Sequence, residues 1–147
     1  MFILKQKTKG DGMPQAALDN HRVDLSVPEA RGKMAKLITR LFDLWDISTS
    51  DQLNLLGLSE TSRSLLSKYR RGEPLPPSRD VQDRVGWLLA IHKALRLLYP
   101  QNEELRYSWV TRRNLAFNNM KPLDLMLDEG IIGIAKVSRY LDLVRGM

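Results

Sequence analysis

The chain of 147 residues contains no cysteine and only two histidines, His21 and His92. Without cysteine the protein cannot form disulfide bonds, thiolate metal sites or a cysteine nucleophile, and this composition fits a reducing cytoplasm. Two histidines so far apart in sequence do not indicate a metal site either. We therefore expect a cytoplasmic protein with no metal site and no cofactor.

Long hydrophobic runs are also missing. No apolar stretch approaches the roughly 20 residues of a membrane span. The apolar residues 2–4 are followed directly by lysine, so there is no signal-peptide core. The sequence has no glycine-rich phosphate loop after a strand and no acid–base pair around a histidine. We expect no membrane partner, and we predict that the chain is not an enzyme.

Charge and length leave room for a nucleic-acid partner. The chain has 23 basic and 17 acidic residues, which give a net charge of +6. This moderate excess permits nucleic acid as a partner without requiring it. The length suits one domain, or two small helical modules that share a core.

The first 27 residues combine lysine, glycine and proline with few large apolar side chains. This composition predicts a flexible lead over residues 1–27, with a short strand at residues 2–4. A solvated tail is the favoured interpretation. Contact of its basic residues with DNA phosphate is the alternative.

From Glu29 onward, apolar residues recur at spacings of three and four, which predicts an all-α fold. Ser48-Thr49-Ser50 can cap a short helix that Gly57 ends. A long helix starts at Ser78 and stops at Pro100, and Pro122 opens a later helix at its first position. The predicted helices cover about residues 29–45, 51–56, 60–71, 78–99, 103–109, a segment from 122, and 131–144.

Residues 50–71 have the spacing of a helix-turn-helix, in which the second helix enters the DNA major groove. On that helix Leu65, Leu66 and Tyr69 share one face and are predicted to pack inward. Arginine and lysine elsewhere on the helix can neutralise phosphates and contact guanine. The alternative is an ordinary bundle corner with a solvated charged face, and Glu60 slightly weakens the DNA interpretation. The candidate DNA-binding residues are Thr61, Ser62, Arg63, Ser64, Ser67, Lys68, Arg70 and Arg71.

The last helix is apolar on nearly all sides. A surface helix normally has one polar face, so we infer that this helix contacts its own core on one side and another subunit or partner on the other. A central core helix is the alternative. His92 lies on the apolar stripe of the long helix, and we predict a packed core position for it. For Asn114 we favour a structural role in a turn over direct contact with a partner.

The chain resembles a known family, and the residues that carry the resemblance begin with the segment 84–95. The tail then contains, in the order typical of Xre/MbcA/ParS antitoxins, Trp109, Asn114, Phe117, Pro122-Leu123-Asp124, Gly130, Tyr140-Leu141 and Arg145-Gly146. The resemblance covers about residues 30–147. It implies an Xre-like helix-turn-helix domain with a long linking helix over residues 28–99, and a toxin-binding domain over residues 100–147. One departure is Arg113, where the family often has a proline.

The resemblance implies an antitoxin of a type II toxin–antitoxin system. Its partner would be a RES-domain toxin that consumes NAD or transfers ADP-ribose from it, and it would repress its own operon. We expect a homodimer on operator DNA with two half-sites. A stand-alone helix-turn-helix repressor with a ligand- or protein-sensing C-terminal domain is the alternative. The expected toxin-binding residues are Trp109, Asn114, Arg139, Tyr140, Arg145, Gly146 and Met147.

For two of these residues the sequence also supports an ordinary structural role. Arg139 and Arg145 lie within reach of Asp142 on the same predicted helix, and a cation near the end of a helix complements its dipole. A guanidinium is, however, well suited to bidentate contact with a carboxylate on a partner. Both roles stay open at the level of sequence.

Overall fold

The computed structural model describes residues 24–146. The predicted strand at residues 2–4, the predicted lead as far as residue 23, and Met147 lie outside the described residues. Within residues 24–146 the chain forms seven α-helices and no β-strand, which confirms the predicted all-α fold. The helices are α1 (Pro28–Trp45), α2 (Thr49–Leu56), α3 (Arg63–Arg70), α4 (Arg79–Leu98), α5 (Glu103–Ser108), α6 (Pro122–Glu129) and α7 (Ile131–Arg145).

Short polar residues, glycine and proline define the helix ends, as the sequence predicts. The Ser48 hydroxyl accepts a hydrogen bond from the Asp51 amide at 3.1 Å at the start of α2. Gly57 ends that helix with a φ of +74°, a left-handed conformation that glycine adopts without strain. Ser78 caps α4 through its side chain, and Pro122 occupies the first turn of α6.

The predicted continuous helix over residues 60–71 is interrupted. Glu60–Ser62 form a 3-10 turn, and α3 begins only at Arg63. The Ser59 hydroxyl accepts from the Thr61 amide at 3.1 Å, only two residues ahead. This short side-chain contact favours a tight turn over a regular first helical turn.

Helix α4 is shared by the two halves of one continuous hydrophobic core. It packs against α1 and α2, and most extensively against α7 from the end of the chain. The predicted apolar stripe is buried at Val81, Val85, Leu88, Leu89 and Leu95. Full burial of such a side chain contributes about 1.5–3 kcal/mol, so both halves depend on this helix. The division into domains at residues 99 and 100 stays a prediction.

Two glycines allow backbone segments to approach closely. A Cβ at Gly32 in α1 would lie 2.6 Å from the carbonyl oxygen of Gly72, just after α3. A Cβ at Gly133 in α7 would lie 2.4 Å from the carbonyl oxygen of Leu125 in α6. Neither distance is possible for a real side chain, so alanine at either position would push the two segments apart.

Three arginines join elements by donating hydrogen bonds to backbone carbonyls. Arg31 donates to Leu75 O at 2.9 Å and to the turn that precedes α1. Residues 24–27, the described part of the predicted lead, are therefore held against α1. Arg84 reaches the carbonyls at the end of α2 at 3.4 and 3.5 Å, and the buried Arg106 donates to the turn after α4 at 2.9 and 3.3 Å.

His92 is fully buried within α4, which confirms its predicted core position. Its ring stacks on that of Tyr107, with centroids 5.5 Å apart and planes at 13°. Among the described residues, neither ring nitrogen of His92 has a hydrogen-bond partner. Burial, with smaller contributions from the charges of Arg96 and Arg106, lowers the pKa of His92 to about 3. The histidine is therefore neutral in the folded protein at neutral pH.

We expect His92 to make the fold sensitive to acid. Its unfolded pKa is 6.5, so between that pH and about 3 the unfolded state binds a proton that the folded state does not. The stability it contributes is present above pH 6.5 and is lost as the pH falls. The slope from this group is at most about 1.4 kcal/mol per pH unit. A His92→Leu variant should lose less unfolding free energy than the wild type between about pH 7 and about pH 5, measured by urea denaturation.

The other histidine of the chain provides a matched control. His21→Leu removes the same titratable group from the lead whose composition predicts a solvated tail, and on that prediction it should leave the pH dependence close to that of the wild type. Equal pH slopes for the wild type and His92→Leu would contradict the assignment to the buried ring.

Candidate functional site

Helices α2 and α3 form the predicted helix-turn-helix. Gly57 ends α2, the 3-10 turn Glu60–Ser62 follows, and α3 packs against α1 and α2. Leu66 and Tyr69 are buried, as predicted for the inner face of α3, and Leu65 is half-buried. The opposite face of α3 is therefore free to meet another molecule.

The candidate DNA-binding residues lie together on this free side of α3 and on the turn before it. Ser62 is half-buried, and the other seven are exposed: Thr61, Arg63, Ser64, Ser67, Lys68, Arg70 and Arg71. Thr61 and Ser62 belong to the 3-10 turn, whereas the remaining residues follow on α3 and its last turn. Five residues of α3 with hydroxyl or basic side chains therefore lie on one surface, together with the hydroxyl groups of the turn.

Two charged residues near this surface are engaged within the protein. Arg70 donates to both carboxylate oxygens of Asp43 in α1, at 2.9 and 3.3 Å, and to Gln52 Oε1 at 3.4 Å. Glu60 is hydrogen-bonded to the Ser50 hydroxyl in α2. The Arg70 guanidinium therefore fixes α3 against α1 and α2, whatever further contact it makes. The Glu60 carboxylate is directed towards α2.

A further cation beside α3 comes from α1 and was not predicted from the sequence. Lys36 lies one turn after Gly32, and its side chain crosses Gly72 at the end of α3. A Cβ at Gly72 would lie 2.8 Å from Lys36 Cε and 3.6 Å from Lys36 Nζ. Its position beside Gly72 depends on the packing of α1 on α3, which local sequence patterns do not reveal.

In the C-terminal half, three aromatic rings form a cluster. The Phe117 and Tyr140 rings lie 5.0 Å apart edge to face, Trp109 meets Phe117 at 6.2 Å, and Trp109 stacks with Tyr140 at 6.4 Å. Trp109 starts a 3-10 turn, Trp109–Thr111, where the sequence predicted the end of α5. Trp109 is buried and Tyr140 is half-buried, so the cluster supports the surface around it.

Asn114 organises the loop between Trp109 and α6. Its side-chain oxygen accepts from the Ala116 amide at 2.9 Å. Its own amide donates to Met120 O at 3.0 Å, and its carbonyl accepts from Phe117 and Asn119 at 2.9 and 3.0 Å. This supports the favoured structural role of Asn114. The loop closes because Asn118 and Asn119 both adopt positive φ, +57° and +63°, which asparagine tolerates better than most residues.

Helix α7 presents the remaining candidate toxin-binding residues. Arg139, Arg145 and Gly146 are exposed. Arg145 pairs with Asp142 at 3.3 Å on the same helix, so the ordinary structural role that the sequence allowed is present for this residue. Met147 lies outside the described residues.

The outer surface of the C-terminal half also exposes large apolar side chains. One side of α7 is buried through Ile134, Val137 and Leu141, whereas Ile132 and Leu143 are 62% and 65% exposed. Leu115, at the tip of the Asn114 loop, is 86% exposed. The inferred second side of α7 is thus open in the isolated chain. Leu115 was not singled out in the sequence, because a lone apolar residue in a loop gives no periodic signal.

Two family models match the chain. Residues 24–90 match the antitoxin Xre-like helix-turn-helix domain, and residues 94–146 match the antitoxin Xre/MbcA/ParS C-terminal toxin-binding domain. The chain belongs to the Xre/MbcA/ParS antitoxin family. A relative of this antitoxin, the uncharacterized protein y4oB of Sinorhizobium fredii, is 36% identical over 107 residues, which cover 73% of this chain and 80% of the relative.

The family establishes the general role of the molecule. The C-terminal domain implies a toxin partner and the helix-turn-helix implies DNA binding, and both domains are typical of a non-enzymatic regulator. The match to a toxin-binding domain does not support a stand-alone repressor with a sensing domain. Among residues 24–146, no helix of the antitoxin is long and apolar enough to cross a membrane. The same residues contain no cluster of three or more side chains arranged to hold a metal ion.

The role of Asn114 can be tested by its chemistry. Asn114→Ala removes the acceptor for the Ala116 amide and should lower the free energy of unfolding by about 1 kcal/mol, as for loss of a helix cap. Asn114→Asp keeps an acceptor oxygen at that position and should lose much less. Urea denaturation of the two variants checks this. Equal losses would show that the side-chain hydrogen bond does not hold the loop.

Proposed function

We propose that the antitoxin neutralises a RES-domain, NAD-consuming toxin and represses its own operon in the cytoplasm. One observation carries this proposal. A segment that matches a toxin-binding domain shares a hydrophobic core with an Xre-like helix-turn-helix, and the second helix of that motif exposes basic residues. The RES class of the toxin rests on the family resemblance. The DNA-binding role rests on the exposed residues of α3.

The surface around α3 has the chemistry that DNA binding needs. Arg63, Lys68 and Arg71 are exposed cations, with serine hydroxyls between them. Cations of this kind neutralise phosphates, and hydroxyls near the start of a recognition helix can contact base edges. Lys36, lying beside the end of α3, enlarges the positive area. A homodimer would present two such helices to half-sites about one helical turn apart.

The C-terminal surface has the chemistry of a protein interface. Ile132 and Leu143 expose apolar area on α7, and Arg139 lies on the same helix. Apolar side chains that are accompanied by arginine are typical of binding surfaces between proteins. We propose that this face of α7 and the C-terminal residues Arg145–Met147 contact the toxin.

The DNA-binding proposal predicts a change in salt dependence. Replacing both Arg63 and Lys68 by alanine should weaken binding to DNA from the promoter of the antitoxin's own operon. If each residue contacts one phosphate, the slope of log affinity against log salt should decrease by about 2. Fluorescence anisotropy at several salt concentrations measures both effects, for the antitoxin alone and for its complex with the toxin.

A charge-matched control separates a local contact from loss of net charge. Replacing Arg79 and Lys136 by alanine also removes two exposed cations, and these belong to α4 and α7. Without the toxin, this variant should bind the promoter DNA nearly as well as the wild-type antitoxin alone. If both double variants keep the wild-type slope, α3 does not face DNA.

The toxin-binding proposal predicts loss of protection without loss of the fold. Arg139→Glu, or deletion of Arg145–Met147, should weaken neutralisation of the toxin encoded beside the antitoxin, because each removes cationic contact area. Growth on co-expression, and NAD content when the toxin is expressed alone, are the measurements. Thermal unfolding should be nearly unchanged, since Arg139 is exposed.

Arg79→Glu provides the matched control for Arg139→Glu, since Arg79 is an exposed arginine in the other half of the antitoxin. It should protect cells like the wild type. If Arg139→Glu and the deletion also protect fully, the end of α7 is not the toxin contact. A toxin that leaves cellular NAD unchanged would contradict its proposed class.

A further inference from the structure

Leu115 is the most exposed large apolar side chain of the described residues, at 86%. A single exposed leucine is ordinary on a protein surface. Leu115 differs in its setting, because it occupies the tip of a loop that the rest of the domain holds rigidly. The loop, residues 114–120, connects the Trp109 turn to α6.

Hydrogen bonds within the loop fix its shape. The Asn114 side chain binds the Ala116 amide, and the Asn114 backbone pairs with Met120 in an isolated antiparallel bridge. The Arg113 guanidinium also donates to Asn119 O at 3.0 Å across the loop. Few conformations of this loop remain, so little conformational entropy is lost when it binds a partner.

The aromatic cluster fastens the loop to the helices below it. Phe117 points inward and meets Tyr140 of α7 and the buried Trp109. Leu115 and Phe117 belong to the same 3-10 turn, Leu115–Phe117, yet only Phe117 is partly buried. The turn therefore uses one apolar residue as an anchor inside the protein and presents the other to solvent.

The charged residues of the segment that carries Leu115 are all basic. Residues 109–123 contain Arg112, Arg113 and Lys121 and no acidic residue. Arg112 and Arg113 are exposed, and Lys121 is half-buried. A partner that receives Leu115 would bring its own surface close to these cations, so acidic groups there would be attracted and basic groups repelled.

We propose that Leu115 is an anchor residue that inserts into an apolar pocket with an acidic rim on the toxin. We assign this pocket to the toxin because the loop lies inside the toxin-binding domain. The loop also packs, through Phe117, on Tyr140 of α7, the helix whose exposed face is assigned to the toxin above. This inference rests on the proposed function and adds the chemistry of the site that the toxin must offer.

The test measures binding of purified antitoxin to the purified toxin encoded beside it. Leu115→Ala should raise the Kd about tenfold, because most of the apolar area that the leucine buries in the pocket is lost. Leu115→Asp should raise it further, since it places a carboxylate in an apolar, acid-rimmed site. Arg112→Glu should slow association, and the association rate of the wild type should fall as salt rises. Circular dichroism and thermal unfolding should match the wild type for all variants.

Leu97→Asp is the matched control, because Leu97 is 50% exposed on α4 and lies outside the loop. It should bind the toxin like the wild type. The anchor would be overturned if Leu115→Asp bound the toxin with wild-type affinity, or if Leu97→Asp lost as much affinity as Leu115→Asp. Either result would leave the proposed function intact. If Leu115→Asp changed only the oligomeric state of the antitoxin and not its affinity for the toxin, the loop would contact a second copy of the chain. That result would also overturn the proposed anchor. If even the wild type failed to bind the toxin, the proposed function itself would fall.

Discussion

The packing of α4 is the constraint on which the rest of the structure depends. Helices α1 and α2 bury apolar side chains against it, and α7 packs along it from the end of the chain. Because a small helical module has little apolar area to bury by itself, a shared helix lets the helix-turn-helix and the toxin-binding region complete one core. This arrangement also explains the buried His92, which is tolerated as an uncharged ring stacked on Tyr107.

The two proposed binding surfaces are built by the same physical means. In each, buried residues and backbone hydrogen bonds hold an exposed segment, so the groups that meet a partner are already ordered. For α3 the support comes from the Arg70–Asp43 pair and the close approach of Gly32 to Gly72. For the loop around Leu115 it comes from Asn114 and the aromatic cluster. An exposed cation or leucine on such support can act in recognition at a low entropic cost.

Much of the fold was accessible from the sequence, because helix boundaries depend on local chemistry. Ser48, Gly57, Ser78 and Pro122 marked helix ends that the structure contains. Local signals failed at residues 60–62, where a serine contact two residues ahead produced a 3-10 turn. Local sequence patterns also gave no indication of the position of Lys36 beside α3, because that position arises from packing between helices that are distant in sequence.

The sequence by itself determined the all-α class, the helix-turn-helix, the buried stripe of α4 and the family, since each follows from residue spacing or residue order. The tertiary structure alone decided which of the candidate residues are available. Packing turned Trp109 inward, engaged Arg70 with Asp43 of a distant helix, and left Leu115 in solvent. The physical reason is that exposure and ion pairing depend on neighbours brought together by the fold, which residue spacing along the chain does not specify.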